Sequence, residues 1–198
     1  MAEKNPGTLG GRTDRDRRTI ARRAVRIAVA VAAIAAAARL AVPVPGSGVP
    51  QSAQTLAVVL AGAWLGARDG GLALITYLAA GAAGLPVFAD GADGPSHLYG
   101  PTAGYLFGFV IGAWAIGRAA DRGALARPLV GFAVFLAAHT LILILGGAWL
   151  SRSIGLAAAV REGVAPFLIG AVTKSALAAG SVALIGARRR TGDEAPAA

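Results

Sequence analysis

From about residue 20 to residue 187 the chain alternates long apolar runs with short polar breaks. Between Ile27 and Ala67 the only charged residue is Arg39. A helix needs roughly 20 apolar residues to cross a hydrocarbon core. The pattern predicts helical spans at about 20–42, 52–67, 71–86, 102–120, 127–150 and 164–187. Proline, glycine and charge punctuate them, because such residues do not continue an apolar helix. The breaks read VPVPGSGVP (42–50), GARDGG (66–71), VFADGADGPSHLYGP (87–101), RAADRGALARP (118–128) and LSRSIGLAAAVREG (150–163), the last with some helical character. Spans two and three are short, which suits little tilt or a thin, protein-lined region. The expected fold class is an all-α integral membrane protein with six transmembrane helices. Residues 1–18 are expected to be a disordered basic tail, 19–188 the six-helix membrane domain, and 189–198 a disordered C-terminal tail.

Composition agrees. The chain has 198 residues, of which 56% are hydrophobic and 15% charged, where an ordinary soluble domain carries about a quarter charged. A net charge of +9 would suit nucleic acid, but its distribution does not. Of the 19 Lys and Arg residues, 8 lie in the first 26 positions, and Arg188, Arg189 and Arg190 close the last apolar run. With the N-terminus inside, the inner segments hold 15 and the outer ones only Arg39, Arg152 and Arg161. That asymmetry is a topology signal and places both termini in the cytoplasm. The expected surroundings are lipid in a bacterial plasma membrane, with no nucleic-acid partner. RRTIARRAVRIAVAVAAIAAAARLAVPVP has the look of a signal peptide, yet more membrane follows it, so a retained span is favoured. Cysteine is absent, which excludes a disulfide framework or a cysteine metal site.

Small residues recur every fourth position: Ala24, Ala28, Ala32 and Ala36 on the first span, Gly62, Gly66 and Gly70 around the second, and Gly104, Gly108 and Gly112 on the fourth. Such spacing lets helices approach closely in lipid, either within the bundle or against another membrane subunit. Lys174 lies roughly 15 Å into the last span at 1.5 Å per residue. An ammonium at such a depth costs about 2.5–3.5 kcal/mol on insertion scales and is usually functional. No Asp or Glu lies inside any drawn span, so the lysine faces a loop carboxylate, a ligand or water, or is buried neutral. GAVTKS is not a phosphate loop, since Thr173 stands where that motif needs glycine. DGADG supplies Asp90 and Asp93 but lacks the remaining ligands of a calcium loop. His97 and His139 have no second ligand at metal spacing, and His139 reads as a contact to a neighbouring helix. Trp64, Trp114 and Trp149 lie toward span ends, as in an interfacial belt. No nucleophile–base pair appears in the spans, so the chain is not expected to be an enzyme, and no cofactor is implied.

Four segments in order, VPQSAQTLAVVLAG (49–62), GLPVFADG (84–91), GPTAGYLFGF (100–109) and PFLIGAVTK (166–174), resemble the BioY family. These are the biotin-binding S components of energy-coupling-factor (ECF) vitamin transporters. The resemblance covers about residues 20–187, and GLPVF followed by GPTxGYLxGF is its specific part. It implies a six-helix bundle that captures biotin at the outer face. It also implies a transmembrane coupling subunit and two cytoplasmic ATPases as partners. The family's docking motif on the first helix maps onto Ala24, Ala28, Ala32 and Ala36, centred on Ala28 and Ala32. The family pattern has a lysine at Lys174 and typically an aspartate three residues earlier, where this chain has Ala171. Asp90 is the expected substitute. Phe88, Tyr105 and Phe167 are expected as apolar walls, Gln54 as a polar contact, and loop 43–51 as a lid. Two alternatives stay open: an S component for a different small vitamin, and a non-transporting structural subunit of a membrane complex.

Overall fold

A computed structural model describes the backbone of residues 7–47 and 49–193 and the side chains of 16–47 and 49–186. The chain is almost wholly helical. Helix α1 (Gly7–Arg39) leads into a two-residue hairpin, β1 (Ala41–Val42) and β2 (Gln51–Ser52), paired antiparallel as Ala41 with Ser52 and Val42 with Gln51. There follow α2 (Gln54–Ala82), α3 (Ala103–Asp121), α4 (Pro128–Ile154), the short α5 (Leu156–Ala159) and α6 (Leu168–Asp193). A π-helical turn (Val160–Val164) and a 3-10 turn (Ala165–Phe167) join α5 to α6. Among the described residues, four helical stretches are long and apolar enough to cross a membrane by length and composition: Gln54–Ala82, counted through a break at Gly66, Ala103–Asp121, Pro128–Ile154 and Leu156–Gly186. Helix α1 is apolar only between Arg26 and Arg39. Large side chains such as Leu129 and Ile169 are 85% and 79% exposed, a surface suited to lipid rather than water.

The drawn ends need correction. Helical backbone begins at Gly7, so residues 7–18 are not an irregular tail. A helix already nucleated in an apolar span propagates cheaply into flanking residues. Residues 1–6 and 194–198, the outer parts of the two predicted tails, lie outside the described residues, as do the side chains of Arg188, Arg189 and Arg190.

GARDGG is not a six-residue turn. A single residue, Gly66, leaves the helical region with φ 80° and ψ 177°, and Ala67 resumes the helix. A Cβ at Gly70 would lie 3.0 Å from the Gly62 Cα, so the chain doubles back at Gly66 and the two halves of α2 pack together. Only glycine adopts this φ without strain. The Asp121 carboxylate, at the end of α3, accepts the Ala67 N–H at 3.1 Å and so caps the second half. At this same end of the bundle Arg23 pairs with Asp69 at 2.5 Å, and Arg26 donates to the Trp64 carbonyl at 2.8 Å.

Elsewhere the glycine spacing is internal packing. Gly62 meets the Ala113 backbone of α3, Gly108 lies under Ile142 of α4, and Gly104 receives the base of Trp149. The buried core runs along this seam through Ile34, Val58, Leu74, Tyr77, Leu106, Phe109 and Ile142. The alanine stripe of α1 behaves differently, because Ala24, Ala28, Ala32 and Ala36 are all exposed.

Candidate functional site

At the opposite end of the bundle from the Arg23–Asp69 pair, the hairpin, the loop between α2 and α3, and the start of α6 enclose a cavity of about 290 Å³. That is near the lower bound of small-ligand clefts, roughly 300–1,000 Å³. Its lining includes all six residues expected at a binding site: Gln54, Phe88, Asp90, Tyr105, Phe167 and Lys174. They come from four separate stretches of chain and meet nowhere else.

Lys174 reaches from α6 to the base of the hairpin. Its Nζ donates to the Ser52 carbonyl at 2.5 Å and to Thr55 Oγ1 at 3.0 Å. An ammonium has three N–H donors, so one is left for the cavity. Among the described residues no carboxylate pairs with it, the two ion pairs being Arg23–Asp69 and Arg161–Glu162. The site therefore carries a positive charge held by neutral oxygens inside mostly apolar walls. Such a charge favours an anionic or oxygen-bearing ligand.

The walls are fixed by hydrogen bonds that point away from the ligand space. Gln54 Nε2 donates to the Tyr77 hydroxyl at 2.8 Å, and that hydroxyl donates to the Val87 carbonyl at 2.9 Å. This chain of bonds ties α2 to the GLPVF segment and holds Phe88, which is 2% exposed, over the cavity. The Phe88 ring packs edge-on to Tyr77 at 5.7 Å and tilted against His97 at 5.6 Å. The Tyr105 hydroxyl is spent on the Gly163 carbonyl at 2.7 Å, which leaves its ring as an apolar wall.

Asp90 lines the rim, is exposed, and does not pair with Lys174. It sits at φ 56° and ψ 17°. A non-glycine residue there costs energy that is often tolerated at functional sites, and aspartate adopts it more readily than most. Ala171 lines the cavity beside Lys174 and is 6% exposed, so the wall there presents a methyl group. Loop 43–51 covers the site through Val49 and Pro50, and Ser47 Oγ, which donates to the Glu162 carbonyl at 2.5 Å, fastens it. Gly48, within this stretch of sequence, lies outside the described residues.

Some lining residues were not expected from sequence: Thr55, His97 and His139. Thr55 stands one position after Gln54, a visible neighbour in sequence. His139 does contact a neighbouring helix, through Ser175 at 3.0 Å, but it also faces the cavity. That contact spans 36 residues and no local spacing announces it.

Comparisons with known proteins bear on this site. The model of the BioY family matches residues 10–191. A probable biotin transporter BioY of Pyrococcus horikoshii is 36% identical over 130 residues, covering 66% of this chain and 76% of that protein. The biotin transporter BioY2 of Lactococcus lactis is 33% identical over 140 residues, covering 70% and 75%. The biotin transporter BioY of Thermotoga maritima is 46% identical over 81 residues, covering 41% and 48%. In fold, the chain is similar to the crystal structure of the S-component for biotin from an ECF-type ABC transporter. The TM-score is 0.77 at 23% identity, over 85% of this chain and 92% of that one.

Proposed function

The chain belongs to the BioY family, and from that premise we propose that it is the membrane-embedded substrate-binding subunit for biotin uptake, a transport protein and not an enzyme. One observation carries the choice of site: Lys174 brings an unpaired ammonium with an unspent N–H into a mostly apolar cavity. Biotin has the complementary chemistry. Its fused ring is apolar, its ureido carbonyl and carboxylate accept hydrogen bonds, and its ureido nitrogens donate them. Phe88, Tyr105 and Phe167 contact the ring system, and Lys174 binds a ligand oxygen. Gln54 sets the position of the Phe88 segment, and Asp90 stands at the entrance.

The topology that suits this role has six membrane crossings with both termini in the cytoplasm. Reversal at Gly66 divides α2 into arms over 54–65 and 67–82, roughly 18 and 24 Å long at 1.5 Å per residue, which supports two crossings only through a thin, protein-lined part of the bundle. Arg22, Arg23, Arg26, Arg68, Arg118, Arg122 and Arg127 gather at or near the end away from the cavity, which makes that end cytoplasmic and opens the cavity outward. The exposed stripe Ala24, Ala28, Ala32 and Ala36 then faces an ECF transmembrane coupling subunit, which two cytoplasmic ATPases drive. The bundle captures biotin outside and delivers it when that subunit moves.

Ala171, where the family typically has aspartate, favours one second reading, a different vitamin of similar size. A thermal-shift series on the purified chain separates the two. A ligand that binds only the folded state stabilises it by about 2.7 kcal/mol at a hundredfold excess over Kd. Biotin should raise Tm by several degrees while thiamine and riboflavin leave it unchanged. A shift with one of these and none with biotin would transfer the assignment.

A further inference from the structure

We infer that His139 is the acceptor for a ureido N–H of biotin, on the wall where Ala171 offers only a methyl group. This rests on the biotin reading above. His139 lies on α4, is 3% exposed, and lines the cavity together with Ala171 and Lys174. Its Nδ1 is 3.0 Å from the Phe135 carbonyl and 3.0 Å from Ser175 Oγ. A carbonyl oxygen has no proton to give, so Nδ1 carries the hydrogen. Ser175 agrees, because its own hydroxyl donates to the Ala171 carbonyl at 2.7 Å and leaves its oxygen to accept. With Nδ1 protonated, Nε2 of the neutral ring is an acceptor with its lone pair directed away from these partners.

That Nε2 is buried and unpartnered. A buried acceptor without a donor is costly, and natural structures seldom leave one without reason. Among the described residues only one other buried side-chain polar atom is in this state, His97 Nδ1. His97 belongs to the loop, where no bond orients its ring. Of the other acceptors at the cavity, the Ser52 carbonyl and Thr55 Oγ1 serve Lys174 and Asp90 stands exposed at the rim, while Gln54, whose amide nitrogen is bonded to Tyr77, keeps its carbonyl oxygen as a competing acceptor on α2. His139 thus holds an oriented, unpaired acceptor in the cavity wall, closed off from water so that biotin reaches it by a small displacement of that wall, and Lys174 supplies a donor on the adjoining helix. Together they fit a group that carries N–H and C=O side by side, as a cyclic urea does. Selectivity follows, since a ligand without the N–H leaves Nε2 unpaired.

The test measures biotin Kd by calorimetry on the purified full chain, for wild type, His139→Phe, His139→Gln, Ala171→Asp, and His139→Phe combined with Ala171→Asp. Each protein is also titrated with biotin methylated on one ureido nitrogen or the other. His139→Phe is expected to raise the biotin Kd about tenfold or more, as loss of one buried hydrogen bond implies. His139→Gln, which places an amide oxygen near the Nε2 position, recovers part of the affinity. Ala171→Asp recovers more affinity in the phenylalanine background than it adds alone in the wild-type chain, a coupling that a purely structural role for His139 would not produce. Wild type rejects one methylated isomer by about tenfold, and His139→Phe loses that discrimination. Unchanged biotin affinity in His139→Phe, or equal losses for biotin and both methylated isomers, overturns the inference. If His139→Phe does not fold, wild type alone decides: equal affinity for biotin and both isomers refutes it. Wild type that binds no biotin at all marks the failure of the proposed function instead.

Discussion

Replacing Lys174 by methionine keeps most of the side-chain stem and removes the ammonium. The structure sets the size of the effect. Nζ makes two bonds within the protein, to Ser52 and Thr55, and holds one N–H for the ligand. Hydrogen bonds to charged groups contribute about 1.5–3 kcal/mol net, so losing the ligand's bond should weaken biotin about 10- to 150-fold. The apo protein should change far less. Loss of the Ser52 and Thr55 bonds is offset by release of a poorly hydrated charge that no carboxylate neutralises. The assay is a pair of measurements on Lys174→Met: biotin Kd by calorimetry, and Tm with and without biotin. The expected result is a large rise in Kd with the apo Tm little altered. If Kd stays within about twofold of wild type, a difference near 0.4 kcal/mol, while the apo Tm drops, then the lysine only fastens the hairpin.

Asp90→Asn should weaken biotin by about threefold, less than the lysine substitution, because the carboxylate is exposed at the rim and solvent screens it; calorimetry on the variant checks this. Ala28→Leu with Ala32→Leu should leave biotin affinity unchanged, since both positions are exposed and line no part of the cavity, yet abolish co-purification with the proposed ECF coupling subunit. Gly117→Leu should lower the yield of folded protein sharply. A Cβ there collides with the Gly66–Ala67 backbone at the reversal of α2, and overpacking against backbone costs about 1–3 kcal/mol or more. Yield by size-exclusion chromatography reads that outcome.

Much of this was legible along the chain because the bilayer imposes its own length scale. Five of the drawn breaks fall where the structure interrupts a helix, and the spacing of Gly104, Gly108 and Gly112 correctly marked a face that packs on α4. The extent of the breaks was harder to read. GARDGG carries two charges and three glycines, yet one glycine performs the turn because Asp121, more than 50 residues away, caps the next helix. Helical propagation from the first span into residues 7–18 was equally invisible in a polar, glycine-containing stretch. For the site, Lys174 announced itself by being charged among apolar neighbours, and the GLPVF and GPTxGY segments brought Phe88 and Tyr105 with it. His139 did not. Its significance lies in a lone pair left unused after Phe135 and Ser175 have taken the other nitrogen, and only three-dimensional bookkeeping of donors and acceptors shows that.

The most direct measurement is a structure of this chain determined with biotin bound. It should place the vitamin between the hairpin and α6, with Lys174 Nζ at hydrogen-bond distance from a biotin oxygen and the bicycle against Phe88 and Tyr105. Biotin bound elsewhere on the protein, or a Lys174 that keeps only Ser52 and Thr55 as partners beside an occupied cavity, would contradict the account.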